Sequence, residues 1–348
     1  AGGGQLPRSA LSLSAIAGEP VRVDGIRGNR PTPGLRPQHL AAVRLLSSIC
    51  DAEVDDPDVG TEELTFQPGA IRPGEYEVDV GTAGSITLLF DAVLPIAFVA
   101  EGRIAVTATG GTDVAWSPPT LSYRRVKLPL LRSWGLHASV DLRRRGFYPA
   151  GGGEATLFLS PSTPDPLDLT ERGDPESARV YSVESADLAD RSVARRQATA
   201  AAARLEEAGI EPSETATITA ESASTGSAVA VRLDFDAGAR SDASAGSDPS
   251  AGSDVPAGFE ALGEPGKPAE DVGTEAAERA VEFVDAGVGA VDRHTADQLL
   301  LPLALAGGRL SVPAITEHVE TSLGLLDTFG VDIEHDGTVL SCPDGLVS

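Results

Sequence analysis

Apolar and polar positions along the chain alternate between the two-residue rhythm of strands and the longer rhythm of helices. In the first half this predicts strands over 21–26, 64–66, 75–80, 103–108 and 155–159. Helices are predicted up to about Ala17, from Pro37 to about Cys50, over about 85–97 and over about 121–134. Pro37 suits a first helical turn, where its missing N–H is not needed. Further on, 185–208 reads as an alanine-rich helix, 215–222 and 228–235 as strands, and 274–286 as an amphipathic helix. Strands and helices alternating at this size predict a mixed α/β (α+β) fold built from repeated units.

The C-terminal stretch is the richest in chemistry. It runs His294-Thr295-Ala296-Asp297-Gln298, an apolar segment from Leu299 to Ala306, then Thr316-Glu317-His318-Val319-Glu320-Thr321-Ser322. The apolar segment predicts a buried helix, with Pro302 in its first turn or at a kink and Gly307-Gly308 ending it. Val319, Leu323, Leu326 and Phe329 share one face of a helix that begins near His318. His318 then sits at a helix N-terminus, where free N–H groups and the dipole favour an anion such as phosphate. A neutral imidazole there could attack phosphorus and form a covalent intermediate. Read alone, a histidine in a first helical turn is more often a surface or capping residue than a nucleophile.

The length of 348 residues suits two domains. Residues 1–177 with 271–348 are expected to form a main catalytic domain, and 178–270 a small inserted α/β domain. Within the insert, 237–257 is low in complexity and acidic, and is expected to be a disordered loop. No apolar run approaches the about 20 residues of a membrane span, and no secretory leader is recognisable. No membrane partner and a cytoplasmic location are therefore the expectation. The chain contains no methionine, so residues ahead of Ala1 are expected in the natural protein. Cys50 and Cys342 match no metal spacing and read as free thiols.

A net charge of −25 with only Lys127 and Lys267 as lysines looks like adaptation to molar salt, where repulsion is screened. The charge is uneven. Residues 1–40 carry Arg8, Arg22, Arg27, Arg30 and Arg36 against Glu19 and Asp24. Residues 121–149 carry Arg124, Arg125, Lys127, Arg132, Arg143, Arg144 and Arg145 against Asp141. Such islands point to local anion binding, or to arginines paired with nearby acids. The segment Arg27 to His39, rich in proline and glycine, reads as a rigid loop presenting guanidiniums that can clamp phosphate.

Together the motifs resemble the RNA 3'-terminal phosphate cyclase family. The resemblance rests on Gly2-Gly3-Gly4-Gln5 with Arg8, Ile26-Arg27 through Gln38-His39, Gly81-Thr82-Ala83-Gly84-Ser85 and Gly110-Gly111-Thr112-Asp113. It continues through Arg145-Gly146-Phe147-Tyr148-Pro149-Ala150-Gly151-Gly152-Gly153, His294 to Gln298 and His318 to Thr321. It implies repeated βαβαββ-type units, as in the cyclase and enolpyruvate transferase architecture. It also implies ATP-dependent conversion of an RNA 3'-terminal phosphate to a 2',3'-cyclic phosphate, with Mg2+ or Mn2+ and RNA 3'-phosphate ends as partners. By matching position His318 is the adenylated nucleophile, and His294, Thr295, Ala296, Asp297 and Gln298 line the adenylate pocket. Asp297 orients His318 or contacts the ribose, or simply caps a helix. Arg8, Arg27, Arg30, Gln38 and His39 hold phosphates of ATP or of the RNA end. Asp91 stands near the nucleotide where the family has glutamine. Pro118 or Pro119 walls the adenine or makes a plain rigid turn.

The chain departs from the family pattern at Ala1, in place of a glutamate expected to contact metal or phosphate, so the metal ligands are unassigned; in the usual preceding strand, expected to be missing; at Asp91; and at Thr32, where a lysine can occur. A non-catalytic relative that binds ribosomal RNA precursors is the alternative, but that branch lacks the histidine present here as His318. An enolpyruvate transferase, suggested by architecture alone, ranks last.

Overall fold

The protein is described by a computed structural model covering residues 4–236 and 255–347. Helix α1 (Gln5–Ala17) is buried nearly all round, including Ser12 and Ser14. A helix without a wet face needs its polar groups satisfied inside, and the Ser12 hydroxyl donates to the Ala92 carbonyl at 2.6 Å. Gly18 ends it in the left-handed conformation, at φ 70°.

Three units with one strand order follow. In the first, β1 (Val21–Val23), α2 (Pro37–Ile49), β2 (Glu53–Val54) and β3 (Leu64–Gln67) give an antiparallel sheet ordered β1-β3-β2. In the second, β4 (Gly74–Asp79), α3 (Ile86–Val93), β5 (Ile104–Gly110), a helical run, β6 (Ala138–Arg144) and β7 (Gly153–Leu159) form a sheet ordered β4-β5-β7-β6. That run is α4 (Thr120–Ser122), a π-turn over Tyr123–Lys127 and α5 (Leu128–Arg132). The third unit opens with β8 (Leu167–Leu169) and is interrupted by an insert.

The insert's strands are β9 (Pro175–Ser185), β10 (Pro212–Ala220), β11 (Ser227–Phe235) and β12 (Val255–Leu262), ordered β10-β9-β11-β12. Helices α6 (Val193–Glu207) and α7 (Ala269–Ala286) pack Leu205 and Ala276 on one face over Val180, Val229 and Leu233. They approach so closely that a side chain on Gly273 would meet the Gln197 carbonyl at 2.0 Å. The other face of the sheet rests on Leu121 and Phe147 through Tyr181, Val183 and Ala230.

The third unit then resumes with α8 (Arg293–Ala306), β13 (Gly308–Ser311), α9 (Glu317–Thr328), β14 (Glu334–Asp336) and β15 (Val339–Cys342). Its sheet reads β8-β13-β15-β14, the order of the second unit. The directions also agree: β8 is parallel to β13 as β4 is to β5, and the remaining pairs are antiparallel. The first unit shows the same arrangement from its second strand onward. The expected repeated α/β architecture is therefore present. Helix α1 is its hub, packing against α2, α3 and α9.

Several local expectations change. The apolar segment after Gln298 does not begin a helix; α8 already starts at Arg293, and Pro302 lies in its interior. The physical start signal is Asp292, whose side chain caps the helix. The region 185–208 opens not as a helix but as the end of β9 and a 3-10 turn over Ala186–Arg191, because Ser185 remains extended. Most of 237–257 lies outside the described residues, but Val255 to Ala257 begin β12 and pair with β11. Cys50 and Cys342 are both buried free thiols, as expected.

Candidate active site

Asp292 accepts hydrogen bonds from the His294 and Thr295 backbone N–H groups, both at 2.9 Å, and so fixes the first turn of α8. Thr295 turns its hydroxyl back to the same carboxylate, and Ala296 points into the core. That leaves His294, Asp297 and Gln298 on one face of the helix. Burial raises the Asp297 carboxyl above its ordinary pKa, while His318, His294 and Arg293 pull it back down. Its Oδ1 is buried with no hydrogen-bond partner among the described residues.

His318 is the second residue of α9 and is exposed. Thr316 caps that helix, its Oγ1 accepting from the Val319 N–H at 3.2 Å. Helices α8 and α9 pack together, which brings His318 within the field of Asp297.

The basic end of the site is built on the first unit. Arg27 is left-handed at φ 52° and donates to the carbonyls of Thr32 at 2.7 Å and Gly34 at 3.3 Å. Arg27 lies among like charges: burial lowers its pKa first, and Arg36 and Arg30 lower it further. Arg27, Arg30 and Arg36 form no salt bridge among the described residues. In a chain of net charge −25, that is a strong local excess of positive charge. His39 closes the start of α2, its Nδ1 accepting from the Arg36 N–H at 3.1 Å. Its Nε2 faces Gly4 so closely that a Cβ on Gly4 would lie 2.1 Å away. Burial, with Arg8, Arg27 and Arg36, pushes the His39 pKa down to about 4, so the ring is neutral. Gln38 accepts from the Ser85 N–H at 2.9 Å, joining this loop to the start of α3.

Beneath them lies a buried ionic cluster. Lys127 donates to Asp91 at 2.7 Å, and Asp91 supports the buried Arg8 guanidinium, whose pKa burial pulls down to about 10. The Tyr123 hydroxyl is buried beside Asp91 without a well-aligned hydrogen bond. Asp91 thus sits under Arg8, and Lys127 was not anticipated as its partner. Pro119 is buried at the start of α4, while the half-buried Pro118 accepts from the Thr87 hydroxyl at 2.8 Å. The two ends of the site are joined by α1, which carries Arg8 and packs against both α2 and α9.

A model of the family described as RNA 3'-terminal phosphate cyclase matches residues 1–334. The chain belongs to this family. It is 44% identical to an RNA 3'-terminal phosphate cyclase of Halobacterium salinarum, covering 97% of both chains. It is also 40% identical to one of Methanopyrus kandleri and 38% identical to one of Pyrococcus furiosus, covering 94% of this chain and 90% of each relative. These relatives are enzymes named for cyclising the 3'-terminal phosphate of RNA.

No group of three or more His, Cys, Asp or Glu side chains converges on a point among the described residues. The residues present do not fit an all-protein cation cage; Ala1, at the family's glutamate position, lies outside the described residues. No helix among the described residues is long and apolar enough to cross a membrane.

Proposed function

We propose that this cyclase uses ATP to convert an RNA 3'-phosphate to a 2',3'-cyclic phosphate through a covalent adenylate on His318. The observation that carries the reading is the exposed imidazole at the start of α9 beside Asp297, whose buried Oδ1 has no partner among the described residues. An imidazole nitrogen attacks the α-phosphorus; a P–N bond forms, the P–O bond to pyrophosphate breaks, and the ring loses its proton. An oxygen of the RNA 3'-phosphate then attacks the same phosphorus, and the P–N bond breaks as a proton returns to the ring and frees the neutral imidazole. Finally the vicinal 2'-hydroxyl, losing its proton, attacks the 3'-phosphorus and displaces AMP. This last step is intramolecular and gains from high effective concentration.

The chain's groups divide the work. Asp297 Oδ1 accepts from a ribose hydroxyl, with His294 and Gln298 on the same helix face beside the nucleotide. Arg8, Arg27, Arg30 and the neutral His39 hold phosphate oxygens, replacing lost hydration with fixed positive charge. Mg2+ or Mn2+ is expected to arrive on the ATP phosphates and water rather than in a protein cage. The chemistry lies outside the insert, whose elements run from β9 at Pro175 to the end of α7 at Ala286 rather than over 178–270, and the setting is cytoplasmic.

Incubation with α-labelled ATP tests the reading: acid-labile label is expected on the unaltered chain and none on His318→Ala. Label that persists on the variant moves the nucleophile elsewhere. An unaltered chain that binds RNA but takes no label would be the non-catalytic RNA-binding relative.

A further inference from the structure

Trp116 is 98% exposed and Tyr148 is 75% exposed, in a chain where the other tryptophan, Trp134, is buried. Neither ring sits on a loose tether. Trp116 is left-handed at φ 60°, a conformation a bulky residue holds only where its surroundings impose it. The imposing contacts are present. Thr120 closes the loop by donating its N–H and hydroxyl to the Thr112 carbonyl at 2.9 and 2.7 Å. The Thr112 N–H in turn donates to the Gly146 carbonyl at 2.8 Å, and Arg145 pairs with Asp113 at 2.8 Å in a buried ion pair. These bonds fasten the Trp116 loop to the Tyr148 loop, which is itself held to the insert by the Ala150 N–H donating to Ser224 at 2.9 Å.

The Trp116 loop is also wired to the basic end of the active site. Gln38 accepts from the Ser85 N–H, the Ser85 hydroxyl reaches Thr87 at 2.8 Å, and Thr87 donates to the carbonyl of Pro118, two residues from Trp116. Arg124 is exposed and forms no salt bridge among the described residues; Arg125 sets like charge beside it, as does Arg145, which is itself paired with Asp113, while Asp141 opposes them.

We propose that Trp116 and Tyr148, together with Arg124, form the track for the single-stranded RNA just 5' of the reacting phosphate, with Trp116 stacking on a base. This rests on the proposed function, because it places the RNA end at the Arg27–His39 loop. Stacking suits this chain for a further reason. In molar salt the screening length falls to about 3 Å, so phosphate contacts lose most of their hold while base stacking does not. A protein with a charge of −25 has most need of that salt-resistant contact.

The test is the affinity of the full chain for a 3'-phosphorylated hexaribonucleotide and for adenosine 3'-monophosphate, in dilute and in molar KCl. Trp116→Ala is expected to weaken the hexamer about tenfold at both salt levels, leaving the mononucleotide unchanged. Trp116→Phe should keep most of the affinity. Unchanged hexamer affinity in Trp116→Ala overturns the proposal. So does an equal loss on both ligands, which would move Trp116 into the terminal pocket. Unchanged affinity with a shift in sedimentation would make the surface a contact between copies of the chain. Self-labelling of the unaltered protein from ATP tests the enzymatic reading separately. A chain that binds the hexamer through Trp116 yet takes up no label would sink that reading and keep this one.

Discussion

The His39 ring ties helix geometry to charge through its two nitrogens. Nδ1 finishes the α2 cap, and Nε2 fits against Gly4 only because that residue has no side chain. Gly4→Ala is therefore expected to displace the ring, destabilise the fold by about 1–3 kcal/mol and abolish cyclisation, as denaturation and product assays would show. His39 also sets a pH dependence. Its folded pKa of about 4 lies below the ordinary 6.5, so between these values the unfolded chain binds the extra proton. Its contribution is complete above pH 6.5 and is lost as pH falls towards 4, on the order of 3 kcal/mol. Glu260 acts in the opposite direction. Its residue is half-buried, but its carboxyl is drawn inward onto Ser122, and burial with Asp292 nearby raises it to about 7. The stability its protonated form provides is lost as pH rises from 4.5 through 7. Since the two oppose each other, denaturation of variants across pH separates them. His39→Asn, which keeps an acceptor for the Arg36 N–H, should flatten the acid limb, and Glu260→Gln the alkaline one. Asp297→Asn should raise the KM for ATP about tenfold or more with the fold intact, because a ribose hydroxyl loses its charged acceptor.

At the scale of elements, α8 shows what a sequence pattern reveals and what it hides. The apolar residues from Leu299 to Ala306 pointed to a buried helix, and the helix is there. Its true start is hidden in the sequence by the polar run from His294 to Gln298, although Asp292 with Thr295 behind it carries the cap. Pro302 takes away the N–H that would meet the Gln298 carbonyl, so Pro302→Ala is expected to raise the denaturation midpoint by about 1–3 kcal/mol in equivalent stability. The strands β9 and β12 went unread for another reason. Both lie in the insert, and β12 directly follows a low-complexity stretch that hides its first residues. The place of His318 at the start of α9 is legible from a single apolar face, Val319 to Phe329. The pairing of Lys127 with Asp91 was not, because 36 residues separate them and no local periodicity records a tertiary ion pair.

For the whole molecule, surface and interior charges respond to salt in different ways. Repulsion within a net charge of −25 is screened as KCl rises, so the denaturation midpoint should climb with salt. The Arg145–Asp113 pair is buried, so Arg145→Met should lose about 3–5 kcal/mol that added salt does not restore. Both effects are read from denaturation curves of the two proteins at several KCl concentrations. The repeated strand order sets the layout of the site. Arg8 lies on the first helix of the first unit, Asp91 on that of the second and Asp297 on that of the third. His39 and His318 open the second helices of the first and third units.

Helix α1 therefore acts as a keystone. It carries Arg8, proposed above to hold phosphate, and packs against α2, α3 and α9, which bear His39, Asp91 and His318. Loosening it would separate the imidazole from its guanidiniums before any sheet came apart. The ability to take up AMP should then fade in denaturant ahead of the circular dichroism of the strands, making enzymatic self-labelling the most sensitive gauge of whether this molecule is fully assembled.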